Sequence, residues 1–287
     1  MQPRDMMQTV HPGHLRWRKW KNRLFAGVIF GLALLAVLPL LLILAYVVFR
    51  GAPGVSLRFF TSLPAPTGIP GGMANAIVGS IVMVLMATAM SAPVGVTIGL
   101  FLAETHHARW QNMVRFVCDV LSGTPTIVIG LLVYAMVVAP SGGFSGFSGS
   151  VALAILMLPT IARSSEQVFR LVPVTLREAG HALGGTRTQV WLRILLPTAR
   201  AGVITGLLLA VSRALGETAP LMFTAFGNQF WSNNVTQPTA ALPLQVFTYA
   251  LSPYDDWHQS AWTGALTLVA IALIINLFAR WVSRTRR

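Results

Sequence analysis

Long apolar stretches alternate with short polar stretches along the chain. A helix of about 20 apolar residues spans the hydrocarbon core of a bilayer, and six stretches reach or approach this length. The pattern predicts an all-α polytopic membrane protein with six transmembrane helices. They lie at about residues 24–49, 73–103, 113–139, 150–170, 200–226 and 260–282, between a basic N-terminal segment, 1–23, and a short tail, 283–287.

Three features refine this pattern. The first apolar stretch is too long for the core of a signal peptide, so we expect a retained helix. Pro93 lies inside the second stretch and Pro125 inside the third, and proline kinks or breaks a helix. Glycine pairs four residues apart, Gly95/Gly99 and Gly202/Gly206 among them, favour close helix packing within the chain or with a second chain.

The composition agrees with a membrane protein. Of the 287 residues, 54% are hydrophobic and 10% are charged, whereas soluble domains carry about 25% charged residues. An ordinary soluble domain and a disordered chain are therefore both excluded. The single cysteine, Cys118, excludes an internal disulfide and an all-cysteine metal site.

The basic residues are unevenly distributed. Of the 21 Lys and Arg residues, 18 lie in segments 1–23, 104–115, 163–200 and 280–287. Because loops rich in Lys and Arg remain in the cytoplasm, this distribution predicts that the N- and C-termini are both cytoplasmic. The net charge of +13 then reflects topology, and we expect no nucleic-acid partner.

The polar segment between the fourth and fifth spans, 172–197, does not resemble a plain loop. Val172, Leu176, Ala179 and Leu183 recur at helical spacing, and Gly184-Gly185 would end the helix. We interpret it as a short helix presented to the cytoplasm, where it could insert into a groove on another protein. An interfacial helix that lies on the membrane is the alternative.

One motif in this segment resembles a known family. Glu178-Ala179-Gly180 is followed, after three, nine and one intervening residues, by Gly184, Ile194 and Leu196-Pro197. This spacing is similar to the EAA motif of ATP-binding-cassette importer permeases, with Gly180 in place of the usual alanine. The resemblance implies a coupling helix that docks on a cytoplasmic ATPase subunit. The implied docking residues are Arg177, Glu178, Ala179, Gly180 and Gly184.

A further resemblance, over about residues 20–282, is to the PstA-type permeases of phosphate importers. It rests on the order of the spans and on segments 74–77, 121–128, 212–220 and 228–232. It implies a type I importer permease fold in a bacterial inner membrane and phosphate uptake by alternating access. The implied partners are a second related permease chain in a heterodimer, two ATPase subunits, an extracytoplasmic phosphate-binding protein and membrane lipid. A homodimer remains open.

Two charged pairs in the spans are candidates for the substrate path. Arg213 and Glu217 are four residues apart in the fifth predicted span, and Arg163 and Glu166 are three apart in the fourth. Charges in a span avoid lipid, and a guanidinium group suits phosphate oxygens. The resemblance implicates both arginines in phosphate passage. A structural Arg213–Glu217 pair and an interfacial Arg163 are the alternatives.

Other functions are weaker interpretations. A permease for sulfate, molybdate or phosphonate has the same docking motif. The overlapping Gly-Phe-Ser-Gly segments with Ser145 and Ser148 resemble the serine motif of intramembrane proteases, but the predicted topology places His106 and His107 on the other side. A passive channel would not need a docking helix. Because the chain has no phosphate-binding loop of the ATPase type, we expect no cofactor in it, no catalytic residue and no metal, and Mg-ATP on a partner subunit.

Overall fold

The computed structural model describes residues 12–105 and 107–284, and the side chains within 17–105 and 107–281. These residues are almost entirely helical, and their single β-bridge joins Phe226 to Thr239. The helices are α1 Pro12–Gly51, α2 Leu57–Thr61, α3 Ala74–Glu104, α4 Ala108–Gly123, α5 Thr126–Ser141, α6 Gly146–Arg170, α7 Val174–Ala182, α8 Arg187–Leu215, α9 Ala219–Met222, α10 Leu242–Ala250 and α11 Asp255–Arg284. Two of them contain a π turn, at Tyr134–Val138 in α5 and at Trp191–Leu195 in α8.

The chain divides into two compact units, Met1–Phe49 and Arg50–Arg287. The first unit is formed by most of α1, which carries a charge-free run of apolar side chains that are largely exposed. A helix with this surface suits contact with lipid. Most of segment 1–23 and the tail 283–287 lie outside the residues whose side chains are described.

The second unit is built around α3, α6 and α8. Glycines allow these helices to approach closely, as the spacing predicts. A Cβ atom at Gly99 would lie 2.5 Å from the Cβ of Ser165, and one at Gly206 would lie 2.3 Å from the Oγ of Ser164. Met83, Leu153 and Leu221 are buried in the largest core cluster of this unit.

Six spans are consistent with the described helices. Five helices are long and apolar enough to cross a membrane, and α4 with α5 form a sixth candidate that is bent by 100°. The third stretch therefore does not form one helix over 113–139. Pro125 lies between the two helices, and because it has no N–H and restricts the residue before it, the helix breaks there.

Two helix ends differ from the predicted boundaries. The fifth span ends at Leu215 rather than at 226, and residues 216–226 form turns and the short helix α9. Pro220 lacks the N–H that a continuing helix would need. Glu217 therefore lies beyond α8, not within the span. The fourth helix begins at Gly146 rather than at 150, because the Ser145 hydroxyl caps its first turn.

Candidate functional site

A cluster of ion pairs joins α4 to α6. The carboxylate of Glu166 is buried on α6 and its Oε1 accepts hydrogen bonds from Nη2 and Nε of Arg115, at 2.6 and 3.1 Å. Nη2 of Arg170 lies 3.1 Å from the same oxygen, and Nη1 of Arg163 lies 3.5 Å from Oε2. The predicted Arg163–Glu166 pair is thus present, but two other arginines lie closer to the acid.

Arg163 has a second acidic partner. Its Nη2 donates a hydrogen bond to Oδ1 of Asp119 on α4. The Asp119 side chain is 64% exposed and that of Arg163 is 31% exposed, so this contact lies at the open side of the cluster. The three arginines and two acids together carry a formal charge of +1, which suits an anionic ligand.

Arg213 and Glu217 occupy a different place. Nε of Arg213 lies 3.6 Å from Oε1 of Glu217, and the arginine side chain is 56% exposed in this chain. Gly206 contacts Ser164, which follows Arg163. Since Arg213 is seven residues beyond Gly206 and a helix rises about 1.5 Å per residue, Arg213 lies about 10 Å further along α8 than the point where α8 meets Ser164.

The segment between α6 and α8 folds into two short helices. α7 ends where Gly184 adopts a φ of +79°, and the N–H groups of Gly184 and Gly185 bond to the carbonyls of His181 and Gly180. Glycine is favoured at such a position because other residues are strained there. The predicted helix and its end at Gly184 are therefore confirmed. Thr186 then starts α8 with a capping box.

The two faces of α7 differ. Gly180 faces Val190 and Ile194, and a Cβ atom there would lie 2.6 Å from Cδ1 of Ile194. This contact explains why glycine fits the position that is usually alanine. Glu178 and Ala179 are exposed on the opposite side and are free to meet another protein.

Arg177 differs from the other predicted docking residues. Its Nη1 lies 3.0 Å from Oε1 of Glu104 at the end of α3, and its Nη2 donates a hydrogen bond to the carbonyl of Phe169, at 2.7 Å. The Arg177 side chain is only 19% exposed. Arg177 therefore holds α7 against α3 and α6, instead of presenting its charge to a partner.

The predicted apolar stripe of this segment is divided. Val172 is buried in a small core with Phe169, Val190 and Leu195, while Leu176 and Leu183 are exposed. The spacing correctly predicts a helix, but the buried face is the one that carries Gly180. Leu176 and Leu183 thus add apolar surface beside the exposed Glu178 and Ala179.

Comparison with known proteins places the chain in a family. Residues 95–287 match the family described as binding-protein-dependent transport system inner membrane component. The phosphate transport system permease protein PstA of Yersinia pestis is 42% identical over 266 residues, which cover 92% of this chain and 90% of that protein. The chain belongs to this family of permeases, in its PstA branch.

Two further comparisons support the assignment. The PstA protein of Xylella fastidiosa, strain Temecula1, is 46% identical over 233 residues, 80% of this chain and 81% of that protein. The crystal structure of a bacterial ABC transporter involved in the import of the polysaccharide alginate matches with a TM-score of 0.59, at 14% identity, over 94% of this chain and 99% of that chain. The likeness establishes the predicted type I importer permease fold.

The serine motif of this permease has a structural role. The Oγ of Ser145 accepts a hydrogen bond from the N–H of Ser148, at 3.0 Å, and lies 2.8 Å from the Ser148 hydroxyl. Both serines are buried at the start of α6. A nucleophile needs a base within hydrogen-bond reach, and the hydroxyl contacts described for Ser145 involve only Ser148. The Gly-Phe-Ser-Gly segments therefore form a helix cap.

Three members of the ion cluster were not predicted as site residues from the sequence. Arg115 and Arg170 both bind Glu166, and Asp119 binds Arg163. One signal was available, because Arg115 and Asp119 are four residues apart and share a face of a helix. Among the described residues, no group of three or more His, Cys, Asp or Glu could hold a metal ion.

Proposed function

We propose that this chain is the membrane-spanning subunit of an ATP-driven importer that moves inorganic phosphate into the cytoplasm by alternating access. The observation that carries the proposal is the combination of two arginine sites along α6 and α8 with membership of the PstA branch. Guanidinium groups bind phosphate oxygens through paired hydrogen bonds. Because a conducting site must also release its ion, the net charge of +1 on the ion cluster between α4 and α6 suits passage better than a stronger positive charge.

The substrate path is assigned to four residues. Arg213 and Arg163 attract the anion at two places on α8 and α6, Glu217 contacts the Arg213 guanidinium group, and Glu166 anchors the ion cluster beside Arg163. Glu217 contacts Arg213 at 3.6 Å, so an arriving anion can replace it at small cost. Glu166 is buried and tightly bound by Arg115, and it stays in position while phosphate passes.

The exposed face of α7 is the docking surface for an ATPase subunit. Glu178 and Ala179 are exposed there, Gly184 sets the following turn, and Arg177 fixes the helix to the bundle. This surface lies in the cytoplasm in the orientation that the Lys and Arg distribution predicts, with both termini on the same side. Mg-ATP is bound by the partner, and closure of two ATPase subunits moves the helices through this segment.

The further partners follow from the same proposal. A second related permease chain completes the path and favours a heterodimer, and an extracytoplasmic binding protein delivers phosphate. The family description and the name of the Yersinia pestis relative support a binding-protein-dependent phosphate system in the inner membrane. Sulfate, molybdate or phosphonate remains the alternative substrate, because arginine binds each of these oxyanions.

The test is uptake of labelled phosphate at low external phosphate by cells with the wild-type importer or with Arg213→Gln. We expect the variant to assemble and to lose uptake. The matched control is Arg58→Gln, an exposed arginine of α2 outside the spans, which should transport normally. Unchanged phosphate uptake by Arg213→Gln would refute the role of Arg213 in the path. If cells without this chain lose sulfate uptake and keep phosphate uptake, the proposed substrate is refuted.

A further inference from the structure

We propose that Asp119 is an internal counter-anion for Arg163, which pairs with the arginine between transport events and is displaced by each incoming phosphate. This inference rests on the proposed function, because it requires Arg163 to bind phosphate. It assigns to Asp119 a role in setting phosphate affinity and in driving release. Asp119 is thus a positioning residue that acts through Arg163.

The two acids of the cluster hold Arg163 very differently. Glu166 is buried and already receives two hydrogen bonds from Arg115 and a contact at 3.1 Å from Arg170. Its distance to Arg163 is 3.5 Å, which is the longest contact that it makes in the cluster. The charge of Arg163 is therefore not neutralised by Glu166, and Asp119 is its closer partner.

The position of Asp119 allows exchange. Its side chain is 64% exposed in this chain, and that of Arg163 is 31% exposed. Because charges in a span avoid lipid, the open side of this pair faces a water-filled path in the proposed importer, and the pair can separate there. Ion pairs exposed in this way are weak. A carboxylate and a phosphate present similar pairs of oxygens to a guanidinium group, and either one can occupy Arg163 in turn.

The helix arrangement lets Asp119 remain close after displacement. Arg115 contacts Glu166, and Asp119, one turn further along α4, contacts Arg163, one turn earlier in α6. The first contact keeps α4 attached to α6 when the second is replaced. A displaced Asp119 then stands beside the bound anion, and repulsion between like charges favours release. This counters the trapping that a free arginine would cause.

The experiment compares the complete importer with its Asp119→Asn and Asp119→Glu variants, reconstituted in vesicles and, for binding, solubilised in detergent. Asp119→Asn keeps the size of the side chain and removes the competing charge. We expect it to bind labelled inorganic phosphate about 3- to 5-fold more tightly, since an exposed ion pair of modest strength is lost. Its maximal rate of phosphate uptake should fall, because release becomes slower, and Asp119→Glu should restore both values.

Control variants separate this inference from the proposed function. Asp255→Asn removes an exposed acid at the start of α11 and should leave binding and uptake unchanged. If Arg163→Gln loses phosphate binding while Asp119→Asn has the affinity and rate of the wild type, the counter-anion is refuted and the path stands. If Arg163→Gln binds phosphate normally, the counter-anion and the assignment of Arg163 to the substrate path are both refuted. Weaker phosphate binding by Asp119→Asn would also refute the counter-anion, since it would show that Asp119 supports the site.

Discussion

The ion pair between Glu104 and Arg177 should determine how firmly α7 is held to the helix bundle. Nη1 of Arg177 and Oε1 of Glu104 are 3.0 Å apart, and the side chains are 19% and 16% exposed. Glu104→Gln removes the negative charge and keeps the shape. It leaves a largely buried guanidinium group with the carbonyl of Phe169 as its described hydrogen-bond acceptor.

The magnitude follows from this partial burial. Removal of one partner from a fully buried pair costs about 3–5 kcal/mol, and an exposed pair contributes at most about 1 kcal/mol. With both side chains less than one fifth exposed but at the edge of the protein, we expect a cost of about 2 kcal/mol. Since 1.4 kcal/mol corresponds to a factor of ten, the opening equilibrium of α7 should rise about 30-fold.

Hydrogen exchange of the assembled importer, followed by mass spectrometry, measures this opening. Amides of α7 should exchange about 30-fold faster in Glu104→Gln, while amides in the middle of α6 should not change. Arg177→Gln should have a similar effect, and the double variant should be no worse than either single one, because both changes remove the same interaction. Arg193→Gln, an exposed arginine of α8, is the control. Additive effects of Glu104→Gln and Arg177→Gln, or no change in either, would refute the bracing role.

Two further changes test the packing and the helix cap. Gly99→Val should lower the unfolding free energy of the detergent-solubilised importer by about 1–3 kcal/mol, because a Cβ at Gly99 would lie 2.5 Å from Ser165. Thr97→Val, at an exposed position of the same helix, should change the unfolding free energy little. Equal stabilities of the two variants would contradict the close contact. Ser145→Ala should cost about 1 kcal/mol as a lost cap yet retain phosphate uptake, and a folded Ser145→Ala variant without uptake would revive a chemical role for this serine.

The apolar pattern predicts where helices lie better than where they bend or end. The third stretch remains uncharged through Thr124-Pro125-Thr126, so hydropathy alone cannot distinguish a kinked helix from the 100° bend that separates α4 from α5. The fifth stretch regains apolar residues at 221–223, after Gly216, Glu217 and Thr218, and the helix end depends on Pro220 and on packing against α5 and α6. In both cases a proline was the visible signal, but its geometric effect is set by the tertiary structure.

The residue types of the candidate site could be predicted from the sequence more readily than their ion-pair partners. A charge inside a span indicates a functional or paired residue, and Arg163 and Glu166 do form an ion pair in the structure. Which arginine binds Glu166 most closely depends on how α4 crosses α6, and sequence spacing contains no such information. Similarly, helical periodicity predicted a helix in segment 172–197, but not that Arg177 contacts Glu104.

The exposed Arg213 side chain indicates what must surround this part of α8. A charged side chain in contact with lipid is costly, and Glu217, whose Oε1 lies 3.6 Å from Nε of Arg213, offsets little of this cost while the guanidinium group is 56% exposed in this chain. We infer that the surface around Arg213 is covered by protein or lines a water-filled cavity. We propose that a second permease chain provides such a cover, so that the phosphate path runs between the two chains, with Arg213 contributed from this one.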